Sequence, residues 1–410
     1  MKYAILIPDG CADHPEDFPD SRTALVEARI PHMDALARSG IVGRSFNVPP
    51  QLPPGSDVAT LSVLGYDPEQ GYTGRAPLEA AAQGIPLGEN DWAFRCNMVN
   101  ISDDGLMKSF TAGHISSEEA AELLKTTGPE IVRTAGEKTV KFYPGVSYRN
   151  LMIYRGGNSG DSPFDQTTQT VPPHDYTDQS ILSVLPQGAG GEFLRQLMDK
   201  SRELFADHPV NRRRIHGGQC PASQFWLWGQ GKRPDLVPFA ERFPGVRGSM
   251  ISAVDLLIGI AKLIGWTQIQ VPGITGYVDT DYAAKGRYAA KALEDFDLVC
   301  VHVEAPDEAS HEGSSEKKVH ALEEIDRHVL PPILEKLQSS GDWRIFITPD
   351  HPTSLKTKTH SHRMVPWIIA GSDVTPDHAE CYSEQTAQES RRFMPSGWQL
   401  MERFIGIKPL

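Results

Sequence analysis

The chain of 410 residues is 39% hydrophobic and 23% charged, a composition that excludes a disordered protein and suits about two to three domains at roughly 100–200 residues each. Its 40 basic and 53 acidic side chains leave a net charge of −13, which argues against a nucleic-acid partner, since that binding rests on a basic surface. No apolar run approaches the ~20 residues a membrane-spanning helix needs, so no membrane is expected either.

The chain opens on Tyr3-Ala4-Ile5-Leu6-Ile7, which meets Asp9-Gly10 almost at once. That stretch is too short for a secretory leader and reads as a buried first strand. Residues 32–39 have the pattern of a short helix stopped by Gly40, and a second apolar-periodic helix opens at Ser56. From about residue 100 to 245 the character changes. Joints at Gly156-Gly157, Pro172-Pro173 and Gly188-Ala189-Gly190-Gly191 separate mixed helix and strand signals, with one clear helix over 117–125.

Further on, residues 252–264 place Val254, Leu257, Ile258, Ala261 and Ile264 on one helical stripe. The apolar run 298–303 leads into Glu304-Ala305-Pro306-Asp307. Residues 316–337 repeat with a helical period, and a kink or break is expected at Pro331-Pro332. A last run, 345–348, ends in Asp350-His351. Short apolar runs with helices between them predict an α/β fold, a mostly parallel sheet buried on both faces by flanking helices. The economical organisation is a discontinuous domain, residues 1–95 and 246–410, with an α+β domain inserted over 96–245. Cys11, Cys96, Cys220, Cys300 and Cys381 are scattered, odd in number and free of any CxxC pair. They read as reduced thiols of a cytoplasmic protein.

In open α/β sheets reactive groups collect beyond the carboxyl ends of the strands. Acids and imidazoles at those ends are Asp9, Asp307-x-x-x-His311, Asp350-His351 and, a little further on, His360. Asp307 and His311 are four apart, so one helical turn aims both at one point. Singly, each has an ordinary explanation as a turn, a cap or a surface ion pair. Together they make three carboxylates and three imidazoles, a mixed oxygen and nitrogen set suited to Mn²⁺, Zn²⁺ or Mg²⁺ rather than to an all-oxygen calcium site.

Ser56 follows Gly55 and opens its helix. One reading makes it the helix N-cap. The other makes it a nucleophile, because backbone N–H groups at a helix start and a nearby metal favour an alkoxide and hold a phosphate. Charge supports the second reading: two divalent ions balance three aspartates and a serine alkoxide, and a few Arg or Lys then balance an incoming phosphate. A two-metal centre around such a serine is suited to phosphoryl transfer.

This order of residues resembles the alkaline phosphatase superfamily, and more closely the cofactor-independent phosphoglycerate mutases of archaeal type and their bacterial relatives. The matching stretches are Pro8-Asp9-Gly10, Pro54-Gly55-Ser56-Asp57-Val58-Ala59, Gly74-Arg75-Ala76-Pro77-Leu78-Glu79-Ala80, Phe94-Arg95-Cys96-Asn97, His302 through His311, and Asp350-His351-Pro352-Thr353. The resemblance implies an alkaline-phosphatase-like sheet with an inserted lid. It implies two divalent ions, manganese foremost with magnesium, zinc or cobalt as alternatives, and no 2,3-bisphosphoglycerate. One ion would be held by Asp307, His311 and His360, the other by Asp9, Asp350, His351 and the Ser56 oxygen. Ser56 would take the phosphate from one hydroxyl of a small phosphorylated substrate and return it to the neighbouring hydroxyl. Lys285 matches a family lysine that would stabilise phosphate charge, or else lies on a solvated helix face. Arg75, Arg95, His114 and Arg149 are candidates to grip phosphate or carboxylate, each with a purely structural alternative. The Arg212-Arg213-Arg214 run reads as solvated surface.

Two stretches depart from the family pattern. Trp228, in Trp226-Leu227-Trp228-Gly229-Gln230-Gly231, stands where archaeal members carry an Arg. After His360 the sequence Ser361-His362-Arg363-Met364 lacks the family's acid and first proline. A homoserine-kinase-like phosphotransferase is therefore the alternative reading. A sulfatase is disfavoured, since Thr60 stands where an Arg is wanted four residues after the nucleophile.

Overall fold

A computed structural model describes every residue except 19, 21, 135–139, 158, 159, 161 and 410. It divides into two compact units, Met1–Tyr72 with Asp235–Leu410, and Thr73–Pro234. The expected boundaries after residues 95 and 245 are thus corrected at both ends. A cut after Arg95 would sever the strand Trp92–Ile101, on which the helix Arg75–Ala82 packs through Ala76, Ala80 and Ala93. At the other end Phe239 packs its ring against Phe243 and Trp266, and its N–H donates to the Ile264 carbonyl, so this segment belongs with the first unit.

The first unit is built on an eight-stranded sheet. Its three central strands lie in the order Trp343–Ile347, Lys2–Pro8, Leu298–Val303, and all pair in parallel. Gly248–Ile251 and Thr267–Gln268 continue the parallel run on one side. On the other side Val365–Gly371 runs antiparallel to both its neighbours. The expected α/β sheet is found, mostly parallel and flanked by helices. Its central strands are mostly apolar because helices cover both faces. One helix differs from expectation. Instead of kinking at Pro331-Pro332, the run forms Ser315–Glu324, a wide π turn over Ile325–Val329, and then Leu330–Ser339. The prolines fall in the first turn of that last segment, where a missing N–H costs little.

The second unit is α+β. Strand Trp92–Ile101 pairs antiparallel with Gln224–Gly231 on one side and Arg149–Tyr154 on the other, and Val140–Tyr143 extends the sheet. Helices Ser117–Thr134 and Gly191–Ala206 bury one face through Phe94, Cys96, Met98, Leu123 and Leu197. Arg212 and Arg213 are exposed, as expected. Arg214 is not: it is buried, pairs with Glu119 and donates to the carbonyls of Ala112 and Cys220. All five cysteines are free thiols, and no described helix is long and apolar enough to cross a membrane.

A buried ion pair braces the edge of the first unit where the central strands end. The Lys318 ammonium donates to Asp13 at 2.9 Å and to the Thr353 carbonyl at 3.0 Å, with both charged side chains fully enclosed. It ties the turn after the first strand to the loop after Ile347. Removing one member strands the other charge in the interior, so Lys318→Ala should cost about 3–5 kcal/mol in urea denaturation. An unchanged unfolding midpoint would show that the pair is no brace.

Candidate active site

Because the three central strands are parallel, their carboxyl ends lie on one edge of the sheet. Asp9 follows Lys2–Pro8 directly, Asp307 sits in the helix Ala305–Glu312 after Leu298–Val303, and Asp350-His351 follow Trp343–Ile347. His360 comes back to the same edge on a short hairpin, Thr353–Ser354 with Thr359–His360. The six candidate ligands, the two imidazoles of His311 and His360 included, meet there in two overlapping groups.

In the first group, His311 Nε2 lies 3.1 Å from Asp307 Oδ2 and 2.9 Å from His360 Nε2, and His360 Nε2 lies 3.5 Å from Asp307 Oδ1. The Nδ1 atoms of the two rings face the backbone carbonyls of Lys358 and Pro54. A carbonyl only accepts, so each Nδ1 carries a proton, and each Nε2 is the nitrogen that would give a cation its lone pair in place of the proton it shares with Asp307. In the second group, His351 Nε2 lies 3.2 Å from Ser56 Oγ, 3.4 Å from Asp350 Oδ2 and 3.6 Å from Asp9 Oδ1. Tetrahedral ligands bonded at ~2.1 Å to one ion stand ~3.4 Å apart. Asp9 Oδ1 and Asp350 Oδ2 are buried with no hydrogen-bond partner. A buried carboxylate oxygen left bare is costly unless a cation meets it. Donor types, spacing and the two bare oxygens all fit divalent cations at both groups.

The electrostatics agree. Burial raises Asp9 well above the usual carboxylate range, with Asp350, Asp307 and Glu304 adding to the shift. Burial also pushes Glu304 up to about 8. At Asp307 burial works upward too, yet the hydrogen bonds from His311 and His360 prevail and hold it well below the usual range. The same Asp307 hydrogen bond raises His311 to about 9. The edge is short of positive charge.

Ser56 is the first residue of the helix Ser56–Val63, and Gly55 occupies the cap position. The hydroxyl caps nothing: it donates to Asp9 Oδ2 at 3.1 Å and faces His351. Ser62 of that helix donates to the Asn47 carbonyl, and the Asn47 amide donates to the carbonyls of Pro349 and Asp350. The serine helix and the Asp350 loop are thereby pinned together. Lys285 does not lie on a solvated face. It is fully buried, its ammonium donates to the His302 carbonyl at 3.2 Å, and burial lowers it to about 8.

Of the arginine candidates, Arg95 is buried, pairs with Glu79 at 2.9 Å and lies 4.3 Å over the Trp228 ring. Burial lowers its pKa, and the nearby charges of Arg75 and Arg149 lower it further. These three arginines form one basic group in the second unit. Arg149 is exposed, beside the Tyr148 ring. His114 shares none of these contacts: it is exposed on a left-handed turn, its N–H donating to Thr111 Oγ1. Trp228 itself donates from its indole N–H to Asn97 Oδ1 at 3.1 Å.

Three further residues at the candidate-ligand edge do not stand out in the sequence. His302 Nε2 lies 2.7 Å from Asp9 Oδ2, Thr353 Oγ1 donates to Asp307, and Glu304 carries a buried bare oxygen. The signal for His302 was one imidazole inside the apolar run Val299-Cys300-Val301-His302-Val303.

Comparison with known proteins accords with this geometry. A family model described as 2,3-bisphosphoglycerate-independent phosphoglycerate mutase matches residues 37–211. A Geobacter sulfurreducens protein, named a probable enzyme of that kind, is 44% identical over 409 residues, covering 99% of this chain and 100% of its own. A Methanothrix thermoacetophila protein named 2,3-bisphosphoglycerate-independent phosphoglycerate mutase is 45% identical over 406 residues, at 99% and 100% coverage. A solved structure from Pyrococcus horikoshii superposes with a TM-score of 0.81 at 27% identity, covering 100% of this chain and 98% of that one. The chain belongs to the family of 2,3-bisphosphoglycerate-independent phosphoglycerate mutases.

Gly10 offers a direct test of the ligand geometry. Its backbone is left-handed at φ +60, and an added Cβ would stand 2.4 Å from Asp307 Oδ1 and 2.6 Å from Thr353 Oγ1. Gly10→Ala should displace Asp307 and weaken Mn²⁺ uptake about tenfold or more, read by equilibrium dialysis with elemental analysis. Uptake equal to the wild type would mean that Asp307 takes no part in holding the ion.

Proposed function

We propose that this chain interconverts 3-phosphoglycerate and 2-phosphoglycerate through a phosphoserine on Ser56, without added bisphosphoglycerate and with two divalent cations, manganese foremost. The observation that carries the reading is the Ser56 hydroxyl, uncapped at a helix start and within 3.2 Å of both Asp9 and His351, in a member of this family. Asp307, His311 and His360 would hold one cation; Asp9, Asp350, His351 and the Ser56 oxygen would hold the other. Bound there, the cations supply the positive charge that favours the serine alkoxide and offsets the phosphate. Ser56 gives up its proton, for which Asp9 Oδ2 is the nearest carboxylate oxygen, and attacks phosphorus as the substrate hydroxyl leaves. The reverse attack by the neighbouring hydroxyl restores Ser56. The first backbone N–H groups of its helix face the developing charge.

Lys285 adds a fixed charge from beneath, through the strand that carries His302. Arg75, Arg95 and Arg149 provide the grip for the anionic ends of the substrate, with residues 73–234 serving as a lid that excludes water. Trp228 supports Arg95 with its ring face, so the exchange of an arginine for tryptophan still leaves a guanidinium at that place. The unpaired thiols support a reducing, cytoplasmic setting.

The test is a coupled assay of purified protein with 3-phosphoglycerate, Mn²⁺ and enolase, with bisphosphoglycerate withheld. Turnover abolished by EDTA is expected. A metal-loaded protein that is inert toward phosphoglycerate yet phosphorylates homoserine from a nucleotide would overturn the reading. Ser56→Ala should abolish turnover with cation content intact, and a phosphopeptide carrying Ser56 should be trapped from the wild type; full activity of Ser56→Ala would remove the nucleophile. With Lys285 titrating near 8, its charge is present below that pH and lost above it, so kcat should fall as pH rises through about 8. In Lys285→Met kcat should drop by about 10²-fold and the alkaline limb should vanish; an unaltered limb would assign it to another group.

A further inference from the structure

Asp9 has two oxygens and they have different surroundings. Oδ2 faces His302 Nε2 at 2.7 Å and accepts from Ser56 Oγ at 3.1 Å, whereas Oδ1 is buried, without a hydrogen-bond partner, and lies 3.6 Å from His351 Nε2. What divides them is the His302 ring, fully buried in the strand Leu298–Val303 beside the first strand. Its other nitrogen, Nδ1, lies 3.2 Å from Ser252 Oγ, and that hydroxyl oxygen already accepts the Val254 N–H at 3.0 Å. Asp9 Oδ2, which already takes the Ser56 hydrogen, is an acceptor, so the ring nitrogen 2.7 Å from it must donate, and Nδ1 is left to accept the Ser252 hydrogen. Nδ1 therefore carries the lone pair, and the ring hydrogen sits on Nε2, facing Asp9. Glu304 Oε2, at 3.6 Å from Nε2, is the other acid in front of the ring and is too far for a hydrogen bond.

Resting on the two-cation reading above, we infer that His302 is a positioning residue: held in one tautomer by Ser252, it fixes Asp9 Oδ2 and so turns Oδ1 toward Asp350 and His351 as the oxygen offered to the second cation. His302 touches no substrate in this role and acts through Asp9 alone. An imidazole does here for a carboxylate ligand what second partners of metal ligands do generally, which is to fix the donor's direction. Without the ring, Asp9 is free to turn Oδ1 away, and the Asp307 group, which His302 does not contact, is unaffected.

The test is Mn²⁺ binding by equilibrium dialysis to wild type, His302→Ala, His302→Gln and Ser252→Ala, each checked for fold by near-UV circular dichroism and thermal midpoint. Wild type should bind two ions. In His302→Ala the first should bind as before and the second about 10–100-fold more weakly, with kcat falling and KM for 3-phosphoglycerate unchanged. His302→Gln, which restores an N–H donor, should recover part of the loss. Ser252→Ala keeps the ring in place and should weaken the second ion several-fold, so it carries the test if His302→Ala does not fold. Wild-type affinity for the second ion in either folded variant overturns the inference, as does equal loss of both ions. Fewer than two ions bound by the wild type would overturn the two-cation reading itself.

Discussion

Four carboxyl groups, those of Asp9, Asp307, Asp350 and Glu304, are gathered in one buried cluster at a sheet edge. Like charges at such distances in a low-dielectric interior repel by several kcal/mol, and each also forgoes its hydration. Nothing else in the first unit makes sense without that constraint. It calls for positive charge at the cluster, for loops stiff enough to keep the acids from turning out to water, and for a sheet whose central strands all end on the same side. The imidazoles of His311, His351 and His360 stand where they would supply lone pairs to the proposed cations, Lys318 braces the loops from behind, and Asn47 fastens the Asp350 loop to the serine helix. A hydroxyl set among such groups is held where positive charge would be concentrated, the setting that the proposed role of Ser56 requires.

Much of this edge was legible in the residues because parallel strands announce themselves. An apolar run that stops at an acid marks both a buried strand and the place where its chemistry begins. Asp9, Asp307 and Asp350-His351 could be placed on one edge from that grammar alone. His302 was hidden by the same grammar, since it lies within a strand rather than beyond one, and only the neighbour across the sheet shows what its ring faces. The Ser56 hydroxyl was ambiguous for a similar reason: whether a serine caps or points outward depends on which residue, Gly55 or Ser56, takes the cap position. Boundary positions between the units were illegible because the helix at Arg75 is bound to its sheet by contacts between small residues, Ala76 and Ala80 on Ala93, which carry no distinctive pattern. Nor could spacing reveal that Arg75, Arg95 and Arg149 form one group, as antiparallel register brings Arg149 near Arg95 and the helix that Arg75 opens packs on the same sheet.

In the second unit the arrangement of Arg95 shows how a buried cation is made tolerable without losing its use. Glu79 takes one edge of the guanidinium and the indole of Trp228 its face. The flat ring screens the charge from the apolar core and leaves its Nε without a partner. An aromatic plate of this kind contributes roughly 0.5–2 kcal/mol, depending on how far the pair is dried. The Trp228 position is thus coupled to an arginine by stacking.

The order in which the polypeptide is made bears on the central strand. Both strands that flank Lys2–Pro8 are synthesised far later than it is: Tyr3 pairs with Leu298 and with Arg344. At roughly 5–20 residues per second, the interval before either partner exists is about 15–60 s. Through that time this buried strand has no ladder to join, while residues 73–234, which have their own core, are already complete. The nascent chain therefore carries an unpaired hydrophobic segment, and its yield in a cell depends on what shields residues 2–8 until the last third is synthesised.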